Sequence, residues 1–321
     1  MSVNNSSPSR WKADIAQSVD WYNSWFMEFA PKAFRETRII TATQVEKALE
    51  YTNNLTNLTP NLLKEYPEVL PILRMSTCPP IARDRLIGLS GVSKNLVVNM
   101  EDKDSPRMPP KMSSDKLEID LIKICKTIRK MIDPDIFVWL DRSHEATKQE
   151  ISRAATIVAD RLCGAVADPI IRNAQEKRQL SLIAGWLKNK GYREVKESKF
   201  DKMETGTFSF RTNIPVVMDG MDEQVKINIP IDVMIMPFSA SKGAMPLLIE
   251  AKSAGDFTNV NKRRKEEAQK MSQLRYTYGD KVQLALFLCG YFDSGYLGYE
   301  AAEGIDWIWE HRIDDMQQLG L

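Results

Sequence analysis

The sequence predicts a mixed α/β fold, a sheet flanked by helices and preceded by a mainly α-helical region. Three observations carry that expectation. Residues from Trp11 to about Leu96 show apolar positions at helical rather than alternating spacing. Near Asp168 the order becomes helix, three strand-like runs, helix, strand. The last run, VQLALFLCGYF, is short and continuously apolar, as a central strand buried on both faces requires. The chain accordingly divides into a helical N-terminal region, residues 1–165, and a C-terminal α/β domain, residues 166–321.

In order, Ile15, Val19, Tyr22, Phe26 and Phe29 recur at spacings of four and three, which suits a core or partner helix. Short helices follow, punctuated by Pro60, Pro67 and Pro71. The paired prolines of CPPIARDRLIGL open another. Arg83, Asp84 and Arg85 in it either meet phosphate or form an ion pair on a solvated face. Residues 100–116, charged and rich in proline and serine, read as a loop. Helical pattern resumes in LEIDLIKICKTIRKMI and again from about Lys148 to Cys163. A separate helix, PIIRNAQEKRQLSLIAGWLKNKG, ends at Gly191. The strands FSFRTNIPVVM and VKINIPIDVMIM are joined across Met218 to Met221, where Asp219-Gly220 signals a hairpin. PLLIEAK is the third strand, and a helix from Val260 to Gly279 leads to the fourth. Trp307 and Trp309 stand at strand spacing near the end and read as packing against the sheet. His311 beside them has no recognisable nucleophile partner.

Composition narrows the function classes. Of 321 residues, 43% are hydrophobic and 27% charged, the proportions of a soluble globular protein. Lys+Arg number 44 against 43 Asp+Glu, so an anionic partner must be held by a local patch and not by a global field. Cys78, Cys125, Cys163 and Cys289 lie far apart, which excludes a zinc ribbon and favours free thiols in a reducing compartment. The N-terminus lacks the apolar run of a signal peptide and no stretch is long enough to span a bilayer, so the expectation is a cytoplasmic protein with no membrane partner. There is no glycine-rich loop after a strand, which disfavours a methyltransferase.

The chemistry concentrates in PIDVMIMPFSASKGAMPLLIEAK, Pro230 to Lys252. Two apolar runs each adjoin a carboxylate, and a buried charge is costly unless it is paired or holds a metal. Side chains alternate along a strand, so Glu250 and Lys252 project together while Ala251 points away. Antiparallel neighbours joined through Ser239 to Gly243 bring Asp232 beside that pair. The carboxylates of Asp232 and Glu250, with the Ala251 carbonyl, form a donor set for a hard divalent cation beside a phosphodiester. Lys252 then orients or deprotonates the attacking water. The competing arrangement is a plain Asp232–Lys252 ion pair at a sheet edge.

Pro-Ile-Asp followed by Glu-Ala-Lys, within this order of elements, resembles the signature of the PD-(D/E)xK nuclease superfamily. Glu176 lies on the helical stripe with Leu180, Ile183 and Leu187 that faces the sheet. The resemblance implies that such a helix-borne glutamate joins the catalytic and metal site; the alternative is an ion pair with Arg172 or Lys177. Lys262, Arg263, Arg264 and Lys265 open the helix after the motif, and they either grip a DNA backbone or form a solvated face offset by Glu266 and Glu267. NLTPNLLKEYPEVLPILRMSTCPPIARDRLIGLSGV, PIDVMI, LLIEAK and the ending IDWIWEHRIDD together look like the XamI-type family of type II restriction endonucleases. That resemblance implies a restriction-endonuclease-like sheet and a magnesium-dependent (Mg2+) enzyme cutting double-stranded DNA within a short, palindromic site. It further implies a homodimer, with residues 1–165 serving DNA recognition or dimerisation. A cognate DNA methyltransferase is expected in the same genome and not as a stable partner. Two other readings stand beside it, a repair or junction-specific nuclease of the same fold and a non-catalytic DNA-binding protein.

Overall fold

Helical spacing is sustained for 44 residues in α1 (Pro8–Tyr51) and for 42 in α7 (Lys148–Asn189). Between them lie α2 (Pro60–Glu65), α3 (Leu70–Met75), α4 (Arg83–Ser90), α5 (Lys94–Met100) and α6 (Ser114–Met131). The protein is seen here as a computed structural model describing residues 3–196, 199–217, 226–241, 243–258 and 260–321; the side chains of residues 200 and 261–263 also fall outside it. The expected Asp219-Gly220 turn lies outside the described residues.

The chain forms two compact units, residues 1–29 with 172–321, and residues 30–171. In the second unit, Leu63, Leu70, Leu73, Leu86, Leu96, Ile124, Ile128 and Val158 build one apolar core. The ends of its helices are satisfied locally. Thr59 accepts a hydrogen bond from the Leu62 N–H at 3.3 Å and starts α2, and Gly91 with φ +58° ends α4 in a conformation that disfavours a side chain.

The first unit holds the sheet: β1 (Arg193–Glu194), β2 (Thr207–Val217), β3 (Lys226–Met236), β4 (Leu247–Ala254), β5 (Gln283–Gly290) and β6 (Asp306–Trp309), adjacent in sequence order. β2, β3 and β4 pair antiparallel, whereas β4, β5 and β6 are parallel. Parallel neighbours need crossovers, and α8 (Val260–Tyr278) and α9 (Ser294–Ala302) supply them. One face of the sheet packs on α8 and α9 through Leu248, Leu286, Met271, Leu274 and Leu297. The other packs on α7 through Ile249, Phe287, Ile183 and Leu187. This is the mixed α/β sheet flanked by helices that the sequence predicts. Trp307 and Trp309 are fully buried in it.

The chain start belongs to this unit as well. Asp306 of β6 accepts hydrogen bonds from the backbone N–H groups of Val3, Asn4 and Asn5 at 2.5, 2.9 and 3.1 Å. Trp11 then packs edge-on against Trp307.

Two expectations are corrected. The helical segment 148–163 and the helix ending at Gly191 are one helix, α7, which includes Pro169. Proline removes one intrahelical bond, but buried residues on both sides of it, Ala159 to Ala167 and Leu180 to Leu187, keep the helix continuous. Along residues 8–29 of α1 the aromatic stripe is only half covered and Phe26 is exposed; the buried positions there are Trp11, Asp14 and Ser18. Tyr22 stacks on Phe26 and Trp25 on Phe29, so these rings contact one another along the helix.

Candidate active site

β3 and β4 pair over three rungs, Ile235–Leu247, Met234–Leu248 and Val233–Ile249. Among the described residues the ladder goes no further, although both strands continue, so the two separate into a fork. Asp232 stands on one arm and Glu250 on the other. Asp232 Oδ2 accepts the Ala251 N–H at 2.8 Å, replacing the rung that would come next.

Asp232 also marks a change of face. Val233 and Ile235 pack toward α7, but Ile229 and Ile231, with the same parity, pack toward α8. In β2, Phe208 packs toward α7 while Ile214 and Val216 pack toward α8. Register is kept across the change, Phe210 facing Val233 and Thr212 facing Ile231. Arg211, between them, has φ +51°, a left-handed backbone that costs about 1–3 kcal/mol in a residue other than glycine. That strain sits across from Asp232.

Glu250 and Lys252 share the α8 face of β4, as alternation requires. Glu250 is buried, and its carboxylate meets two ammonium groups, Lys252 at 3.2 Å and Lys270 of α8 at 2.7 Å. Lys252 reaches Glu267 of α8 at 3.0 Å, so the expected alternative of an Asp232–Lys252 pair gives way to a Glu250–Lys252–Glu267 row. Burial pulls the Lys252 ammonium toward losing its proton, but the charges of Glu250 and Glu267 and their hydrogen bonds outweigh it, so its pKa is raised. Burial pushes the Asp232 carboxyl up to about 6, and the Glu250 charge adds to the shift; the Ala251 N–H opposes it. From α7, Gln179 donates to the Lys252 and Phe287 carbonyls, both at 3.3 Å, and fixes the backbone of β4 at the motif.

Glu176 forms an ion pair with Arg211 at 2.8 Å, not with Arg172 or Lys177. Its charge contributes to raising the Asp232 pKa, which puts it within electrostatic reach of the fork. Arg264 lies over the Tyr299 ring at 4.6 Å and Lys265 is exposed; the side chains of Lys262 and Arg263 lie outside the described residues. His311 is buried 3.7 Å from Asp14, away from the fork residues named here.

Glu267 and Lys270 were missed by sequence reasoning. Both fall on the stripe of Met271 and Leu274, at spacings of four and seven for Glu267 and of four from Lys270 to Leu274, so periodicity alone could have found them. Their charge made them look like surface. Arg211 left no signal, because a left-handed residue other than glycine cannot be read from residue type.

A profile of the XamI restriction endonuclease family matches residues 53–309. The chain belongs to that family. The match takes in β3, β4, α8 and part of each unit. The type II restriction enzyme SalI of Streptomyces albus G is 51% identical over 321 residues, covering 99% of each chain. No solved structure matches. The chain is therefore a nuclease of the PD-(D/E)xK superfamily, related to the SalI and XamI restriction endonucleases. No described helix is long and apolar enough to cross a membrane.

Proposed function

We propose that this member of the XamI family is a magnesium-dependent type II endonuclease that hydrolyses double-stranded DNA at a short palindromic site, acting as a homodimer. The observation that supports this best is the fork, where the Glu250 charge acts on Asp232 across the two arms and Lys252 is paired with Glu250. The residues fit a divalent cation. Burial, with the Glu250 charge added to it, raises the Asp232 pKa, and a cation would relieve both. Carboxylate and carbonyl oxygens are hard donors of the kind magnesium takes, a cation that keeps several waters and uses one or two carboxylates.

Asp232, Glu250 and the Ala251 carbonyl would hold the ion, with Glu176 as the further carboxylate from α7. Bound there, it supplies charge stabilisation for the phosphoryl oxygens and a more acidic water. Lys252, kept charged by Glu250 and Glu267, binds a phosphate oxygen and orients the attacking water. The water oxygen bonds to phosphorus, one P–O ester bond breaks, and a phosphate monoester and an alcohol remain. Lys265, exposed on α8, is available to a DNA backbone. Residues 1–165 carry recognition or dimerisation.

The test is purified protein incubated with phage or plasmid DNA of mixed sequence, with magnesium and with chelator, resolved on a gel. Discrete fragments only with magnesium are expected, and sequencing their ends gives site and stagger. A smear, a cut confined to junctions or lesions, or intact DNA that is merely bound would overturn site-specific cleavage.

A further inference from the structure

Beyond Val233–Ile249 two side chains, Asp232 and Lys270, bridge the fork among the described residues. The Asp232 carboxylate accepts the Ala251 N–H. The Lys270 ammonium donates to Glu250 Oε1 at 2.7 Å and to the Pro230 carbonyl at 2.9 Å. Pro230 lies on the arm that bears Asp232, two residues before it. A proline has no N–H to give to a neighbouring strand, and it is tolerated within a sheet where a strand acts as an edge. β3 is such an edge toward β4 at this point. Its carbonyl, having lost a β4 partner, is taken by the lysine.

Lysine is an expensive choice for that position. Only 15% of the Lys270 side chain is exposed, one residue before Met271, which packs in the core under the sheet. Burial disfavours an ammonium unless acceptors surround it, and here the acceptors belong to the two arms that carry the metal-binding carboxylates. Helical spacing places Glu267 one turn earlier on the same face, holding Lys252. One helix face thus grips both members of the Glu250/Lys252 pair.

We propose that Lys270 is a positioning residue for cleavage: its bond to Glu250 and to the Pro230 carbonyl fixes the separation of Asp232 and Glu250 across the fork. This rests on the nuclease reading above. Because Lys270 occupies an oxygen of Glu250, its removal frees a ligand atom while loosening the geometry. Cation binding and turnover therefore move apart, whereas damage to the fold would lower both.

The experiment compares wild type, Lys270→Met and Lys270→Arg in single-turnover cleavage at saturating magnesium, with thermal midpoints recorded. Mn2+ binding to the free proteins is followed by loss of the free-ion paramagnetic resonance signal. Lys270→Met is expected to cut at least about tenfold more slowly while binding Mn2+ no more weakly than wild type, because a displaced catalytic group costs rate and not ligands. Lys270→Arg, which keeps charge and reach, is expected to recover most of the rate. If Lys270→Met does not fold, Lys270→Gln, neutral and too short to span both acceptors, is expected to show the same split. Wild-type rates in the neutral variant, or Lys270→Arg as slow as Lys270→Met, would overturn the role of Lys270 alone. Wild type that cuts no DNA sinks the nuclease reading and this inference with it.

Discussion

The two units differ in how they treat some of their buried carboxylates. In residues 30–171, Asp133 meets Arg161 at 3.0 Å and Glu101 meets Arg74 at 2.6 and 2.9 Å through both its oxygens. Each acid there has its own cation. In the sheet unit Glu250 and Glu267 also meet lysines, but Asp232 and Glu300 are held up in pKa by burial and, added to it, by the charge of Glu250 and of Glu267 respectively. Opposite charges in contact stabilise a fold, whereas like charges held together store repulsion that a bound cation or proton can release. One unit is arranged for stability and the other carries the tension that chemistry uses.

Exchanging the treatments sharpens that contrast. The largest effect is expected from Asp232→Asn, which keeps an acceptor for the Ala251 N–H but removes the charge. Cleavage should fall by about a thousandfold or more, while the thermal midpoint holds or rises, because repulsion with Glu250 is gone. Rate assays and calorimetry on one preparation check both halves. A variant that cuts normally would remove Asp232 from the site. Lys252→Ala is a less clean probe, since it also leaves Glu267 in the interior without its ammonium and Glu250 with Lys270 alone.

In the helical unit the opposite result is expected. Arg161→Met leaves Asp133 buried without its cation and releases the Met75 and Thr77 carbonyls. Stability should drop by about 2–3 kcal/mol in a denaturant titration, with cleavage retained below the new midpoint. Equal loss of cleavage in the folded variant would break the comparison.

Next in size is a pH effect. Burial pushes the Glu300 carboxyl up to about 8, and the Glu267 charge adds to the shift against a hydrogen bond from Tyr296. The folded protein thus holds this proton longer than the unfolded chain, so the stability it contributes is full below about pH 4.5 and is lost as pH rises toward 8. Glu300→Gln, which mimics the protonated acid, should flatten that decline, by on the order of 2 kcal/mol at pH 8. Thermal midpoints from pH 5 to 8 for both proteins decide it; parallel curves would mean Glu300 is not strained. The smallest effect belongs to Arg211→Gly. It relaxes the left-handed backbone but forfeits the exposed pair with Glu176, and the net change should stay within about 1 kcal/mol.

The sheet was legible in the sequence because burial on both faces writes itself as continuous apolar runs, and β2 to β5 follow them. The pairing of Asp232 with the Glu250/Lys252 strand followed from alternation and a short connection. What stayed hidden was set by tertiary contact. Pro169 looked like a boundary because local propensity favours one there, but packing on either side overrides a single missing bond. Glu267 read as solvated charge and Lys270 drew no reading, because only the fork explains why charge is buried at those positions. The place of Val3 against Asp306 has no local signal at all, since the partners are 303 residues apart.

That last contact bears on when the enzyme comes into being. Chains emerge from the ribosome N-terminus first, and regions whose contacts are closest in sequence can fold while synthesis continues. Residues 30–171 form such a region. The sheet unit is different: its opening residues wait for Asp306, and β4, which bears Glu250 and Lys252, gains its neighbour β5 only later. The sheet that carries Glu250 and Lys252 is therefore completed only once β5 and β6 have been made.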